Sequence, residues 1–200
     1  MNQEIMLPEP NKTSETSIEE AILKRRSVRD YKDEQLTLKE ISQILWSSQG
    51  ITDSAAGHRT APSAGALYPL EIYLVVRKVE GLDAGVYHYL PNGHKLEKIL
   101  ESDFSTQLAS AALGQSFTAD AAASLVISCV YDRTTKKYGE RGIRYVHMEA
   151  GHAAQNVYLQ VESLGLGTVT AGAFSDDEVK KLLKLGIEET PLYIMPIGRK

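Results

Sequence analysis

The sequence predicts an α+β domain. Helix-period and strand-period segments intermix along 200 residues, a hairpin signal stands in the middle, and one unbroken apolar run, "ASLVISCVY", reads as a central strand. The length suits one domain with a single core, which the pattern assigns to residues 17–200. Residues 1–16, with Pro8 and Pro10 among polar side chains, read as a flexible or partner-wrapping N-terminal arm.

Each element follows from local chemistry. Ser17 and Glu20 form an S-x-x-E capping box ahead of Ile18, Ala21 and Ile22, so a first helix runs to about Arg26. Thr37 and Glu40 repeat the device, with Leu38, Ile41, Ile44 and Leu45 on one face and Gly50 as the stop. "LEIYLVVRK" (70–78) is rich in β-formers, and "GVYHYL" (85–90) and "KLEKIL" (95–100) flank "PNGH", where Asn92-Gly93 supplies the positive φ angles of a hairpin. Residues 141–165 hold Val146, Ala150, Ala153, Val157, Val161 and Leu164 on one helical stripe, ending at Gly165, and Gly151, Ala153 and Ala154 allow another helix to approach closely. Ser175 and Glu178 open a last helix, and "PLYIMPIG" (191–198) is a last strand.

Composition excludes several classes. Lys plus Arg number 22 against 26 Asp plus Glu, a net charge of −4, which argues against general affinity for nucleic acid or an anionic membrane. The single cysteine, Cys129, lies in the apolar run and reads as a buried strand thiol. The N-terminus lacks a basic and apolar leader and no run approaches a membrane span, so a soluble cytoplasmic protein is expected.

Three segments carry candidate chemistry. "RRSVRDY" places Arg25, Arg26 and Arg29 around Ser27 where the first helix ends. Cations are favoured there by the helix dipole, and the same forked donors suit a phosphate, so both readings stand. "PSAGALYP" is a Gly- and Pro-marked loop feeding a strand, and "GTVTAGAF" crosses small residues after the long helix; each permits a flat ligand, and each is also ordinary loop composition. Neither G-x-x-x-x-G-K nor G-x-G-x-x-G is present. Lys137 and Tyr138 lie in a polar, basic loop, a solvated charge run or a pocket rim. His147, Glu149 and His152 are spaced H-x-E-x-x-H, which turns the histidines about 140° apart on a helix, so no metal is expected.

Taken together and in order, "RRSVRDY", "PSAGALYP", "GHAAQNVYLQVESLGLGTVTAGAF" and "PIGRK" resemble the FMN-dependent nitroreductase superfamily over nearly the whole chain. "PSAGALYP" with "YDRTTKKYGERGIRYVHMEAGHAAQN" further resembles its azoline-dehydrogenase-like (SagB-type) branch, whose Lys-Tyr pair takes part in proton removal; Lys137 and Tyr138 match that pair. The resemblance implies a central, mostly antiparallel sheet flanked by helices, and an intertwined homodimer with FMN at the subunit interface. By motif it implies that Arg25, Ser27 and Arg199 hold the phosphate, with Arg26 beside them and Arg29 at the pyrimidine edge. Pro62, Ser63, Ala64 and Gly65 would come from the partner chain, while Val169, Ala171 and Gly172 line the ring. Many nitroreductases have an Asn where this chain has Ala66, so backbone groups must replace that contact. The activity implied is NAD(P)H-linked, ping-pong reduction of a nitro compound, quinone or similar small acceptor. The alternatives are azoline oxidation, flavin fragmentation, and flavin binding without turnover.

Overall fold

The structure is a computed structural model that describes residues 3–200. In chain order the elements are β1 Glu4–Met6, α1 Ile18–Lys24, β2 Leu36–Thr37, α2 Leu38–Gln49, β3 Ile51–Asp53, β4 His58–Arg59 and β5 Leu70–Val76. Then follow β6 Val79–Glu80, β7 Gly85–Leu90, β8 Lys95–Glu101, α3 Ser105–Ala111, α4 Phe117–Asp120, β9 Ala123–Val130 and α5 Asp132–Tyr138. The chain ends with α6 Arg141–Ser163, β10 Leu166–Thr168, α7 Asp176–Leu183 and β11 Glu189–Arg199.

Seven strands form one sheet in the order β1-β8-β7-β5-β9-β11-β10, every neighbouring pair antiparallel. The apolar run places β9 in the interior, between β5 and β11, and alternation along the strands sends side chains to two cores. Ile72, Leu74, Leu125 and Ile127 pack with Ile41, Ile44 and Leu45 of α2 and with Val146, Ala150, Ala153, Val157 and Val161 of α6. Tyr73, Val75 and Val126 pack the other way, with Leu108 of α3 and with Val179 and Leu183 of α7. Cys129 is buried in the first core.

All three capping residues act as the sequence predicts: Ser17, Thr37 and Ser175 each accept from the third helical amide, and Thr37 with Glu40 closes the full reciprocal box. Four expectations need correction. Residues 3–16 are not a free arm: Glu4–Met6 pairs with β8, Leu7 is buried, and Ser42 Oγ donates to the Pro8 carbonyl at 2.5 Å. The hairpin's positive φ angles fall at Gly93 and His94, one residue later than expected, because His94 is held by Ser42 and by the Tyr89 hydroxyl. The first helix ends at Lys24 rather than about Arg26, and in it only Ala21 is buried, Ile18 and Ile22 standing 55% and 58% exposed. Lys137 and Tyr138 belong to helix α5 rather than a loop.

Candidate functional site

The first cluster forms where α1 hands the chain to a strap across the sheet edge. Ser27 bridges Thr168, Val28 N–H donates to the Thr168 carbonyl at 2.9 Å, and Lys32 N–H donates to the Arg199 carbonyl at 3.0 Å. Tyr158 of α6 is the hub. The Arg25 guanidinium lies 5.1 Å from its ring centroid, its hydroxyl is 3.2 Å from Ser27 Oγ, and it accepts from Thr170 N–H at 2.8 Å. Arg25 has no carboxylate partner among the described residues, and Thr168 Oγ1 is buried without a hydrogen bond. A cation, two hydroxyls and a turn of backbone thus converge on one spot, a donor set suited to an anion.

The other predicted arginines separate. Arg26 Nη1 donates to the carbonyls of Leu23 and Arg25 and so finishes the helix end. Arg199 gives its fork to Glu40, Nη1 to Oε1 at 2.7 Å and Nη2 to Oε2 at 3.0 Å, and therefore does not join Arg25 and Ser27 as folded. Arg29 is exposed beside a shallow cavity lined also by Asp30, Tyr31, Asp33, Arg77 and Asp120, and makes no ion pair among the described residues. Val169 and Ala171 are buried, and both Ala171 backbone groups are paired with Ile194, so their side chains do not line a surface; Gly172 is exposed.

The second cluster is the "PSAGALYP" loop with α5 and the N-terminal half of α6. Gly65, Ala66 and Tyr68 have φ of 66°, 53° and 45°, so two non-glycine residues sit in the left-handed region within four positions. Such backbone persists where the surroundings hold it. Tyr68 is the point of attachment: its N–H donates to Ser63 Oγ at 2.9 Å, its carbonyl accepts from Arg133 Nη1 at 3.1 Å, and its ring lies 4.7 Å from the Arg59 guanidinium. Arg133 of α5 also pairs with Glu71, which bonds His88 at 2.7 Å.

Lys137 and Tyr138, on the same short helix, converge on Gly65. A Cβ at Gly65 would meet the Tyr138 hydroxyl at 2.8 Å and Lys137 Nζ at 2.9 Å, so only glycine leaves room for both polar heads at the loop. His147 bonds the Tyr131 hydroxyl at 2.6 Å, whereas Glu149 turns inward and is 2% exposed, so the H-x-E-x-x-H residues diverge. Burial pushes the Glu149 carboxyl up to about 7, an effect that Ser63, Arg59 and Gln49 partly oppose.

Sequence reasoning missed Tyr158, Arg59, Arg133 and Glu149 as parts of the site. Glu149 had a signal: it stands between Val146 and Ala153 on the buried stripe of α6, where an unpaired acid is out of place. The arginines had none, since their partners are 9 and 62 or more residues away.

The Nitroreductase family profile matches residues 22–199. Over 197 residues the chain is 53% identical to a Methanocaldococcus jannaschii protein bearing the nitroreductase name, covering 98% of this chain and 96% of that protein. It is 30% identical over 155 residues to the microcin B17-processing protein McbC of Escherichia coli, covering 75% of this chain and 57% of McbC. A solved Anabaena variabilis structure bearing the nitroreductase name superposes with a TM-score of 0.87 at 32% identity; it matches 99% of this chain, which spans 42% of that longer one.

Proposed function

The chain belongs to the nitroreductase family and has its fold, and from that premise we propose that it is an FMN-dependent oxidoreductase working as a homodimer. The observation that carries the reading is the Arg25–Tyr158–Ser27 cluster, a guanidinium without a carboxylate partner among the described residues, joined through the Ser27–Thr168 bridge to a residue whose hydroxyl is buried and unpartnered. Those donors fit a phosphate, and of the small residues after α6 the exposed Gly172 leaves room for a flat ring; Arg26 and Arg199 fit neither role, being committed to the helix end and to Glu40.

When bound, FMN supplies the hydride chemistry. The chain's residues do the rest: Arg25 and Ser27 anchor the phosphate, and Arg29, exposed and unpaired, adds positive charge at the pyrimidine edge. Lys137 and Tyr138 deliver an amine and a phenol to the loop that faces the substrate. The two-copy assembly is supported by Ile18, Ile22 and Leu23 of α1 and by Ile143 and Met148 of α6, large apolar side chains that a monomer leaves in water.

The reaction proposed first is NAD(P)H-linked reduction of a quinone, nitroarene or similar acceptor. A second reading, oxidation of an azoline ring, is favoured by the Lys137–Tyr138 pair at Gly65, where a neutral amine or a phenolate, having first given its own proton to solvent, would accept the ring proton. The purified protein should be yellow. Anaerobic NADH or NADPH should bleach it and a quinone restore the colour; bleaching by an azoline peptide, with no response to either nicotinamide, would select the second reading, and a colourless protein that takes up no FMN would overturn both.

A further inference from the structure

Beneath the "PSAGALYP" loop lies a polar seam that the proposed chemistry does not use. Pro62, Ser63 and Ala64 form a cavity with Tyr145, Met148, Glu149 and His152 of α6. Ser63 and Gln49 stand beside the Glu149 carboxyl without closing a full hydrogen bond to it: Glu149 Oε1 and Gln49 Nε2 are both buried and unpartnered. Gln49 Oε1 accepts from Arg59 Nη1 at 3.0 Å, and Arg59 lies over the ring of Tyr68, the loop's attachment point.

We infer that Glu149 is the positioning residue of this loop: its carboxyl, within the seam of Ser63, Gln49 and Arg59, sets whether the loop lies closed on α6 or opens, according to whether it holds a proton. An ionised carboxylate with an unpartnered oxygen is costly in so dry a place, and opening the loop admits the water that would solvate it. The closed loop therefore binds the proton more tightly than the open one, and raising the pH must favour opening. The charged and titratable groups facing Glu149 are Arg59 from β4 and Tyr145 and His152 from its own helix; α2 and the loop present the neutral Gln49 and Ser63. Opening would draw Gly65 away from Lys137 and Tyr138, so the proton on Glu149 governs how those two heads are presented.

Two amides report the closed loop, Ala66 N–H to the Ser63 carbonyl at 3.1 Å and Tyr68 N–H to Ser63 Oγ at 2.9 Å. Their hydrogen-exchange protection, corrected for intrinsic exchange, is measured on the purified protein from pH 5 to 8. Wild type should lose protection at least roughly tenfold between pH 5 and about 7 and level off above, and Glu149→Gln should hold one value throughout. A flat wild type, or the same fall in Glu149→Gln, overturns the inference. Should Glu149→Gln not fold, Ser63→Ala serves, read at the Ala66 amide: removing a hydroxyl that lowers the acid's affinity for its proton should move the midpoint to higher pH, and an unmoved midpoint overturns the inference. It rests on the proposed function only in counting the loop as part of the site; a protein that binds no flavin would refute that function and leave the exchange result standing.

Discussion

Gly167 and Gly198 sit opposite one another in the β10–β11 pair, and the strap that carries the arginines fills the space both leave. A Cβ at Gly167 would lie 2.7 Å from Val28 Cγ1, and one at Gly198 2.8 Å from Tyr31 Cδ1. Neither position needs glycine for its φ; both need it because another chain segment lies against the sheet. Gly167→Ala should lift residues 27–32 and lower flavin retention together with stability, the latter by about 1–3 kcal/mol. Flavin absorbance per protein and thermal unfolding on one preparation check this.

Arg25 and Arg26, neighbours in one motif, should divide by function. Arg25→Ala is expected to weaken FMN binding by about one to two orders of magnitude, the effect of losing a charged hydrogen bond of about 1.5–3 kcal/mol. Arg26→Ala, whose donors serve only Leu23 and Arg25 carbonyls, should bind FMN as wild type does. Titration of apoprotein with FMN separates the two.

Removing Arg199 strands the mostly buried Glu40 carboxylate and frees the strap's neighbour, so its effect should appear in folding rather than in binding. Arg199→Ala should cost on the order of 1–3 kcal/mol in chemical denaturation and leave FMN affinity within about twofold. Loss of FMN at unchanged stability would return Arg199 to the phosphate.

Gly65→Ala should displace Lys137 and Tyr138 without touching the anion cluster. Its flavin content should be retained while turnover falls at least about tenfold, as misplacement near an ångström commonly does. Lys137→Ala should abolish azoline oxidation and spare quinone reduction; equal turnover of every substrate would remove Lys137 from the chemistry.

Glu149 predicts a pH profile of stability. The folded chain keeps a proton up to about pH 7 that an ordinary carboxyl releases near 4.5, so the stability it contributes is complete below 4.5 and lost as pH rises to 7. The loss should approach about 3 kcal/mol, with no further change above 7. Denaturation of wild type and Glu149→Gln between pH 4 and 8 tests this; the variant should lack the slope.

Much of the fold was legible because its signals are local. The N-caps at Ser17, Thr37 and Ser175, the apolar run of β9 and the stripe of α6 depend on neighbours a few residues away, and they formed as read, although only Thr37 and Glu40 close the full reciprocal box. Strand β1 was not legible, since three residues gain strand geometry only by pairing with β8. The same distinction runs through the site. The anion cluster was half visible in Arg25 and Ser27, but Tyr158 joins it from 131 residues on from Ser27. Arg199 misled because a basic residue after a strand says nothing of Glu40, 159 residues earlier.

Helix α5 is seven residues long, and it carries Arg133, which grips the Tyr68 carbonyl, together with Lys137 and Tyr138, which meet Gly65. Each residue advances a helix by about 100°. One amino acid inserted or deleted between Arg133 and Lys137 would swing the amine and the phenol off the loop while leaving the grip intact. The chemistry at this end of the molecule is thus written in the phase of a single short helix, where altered length would be felt before altered composition.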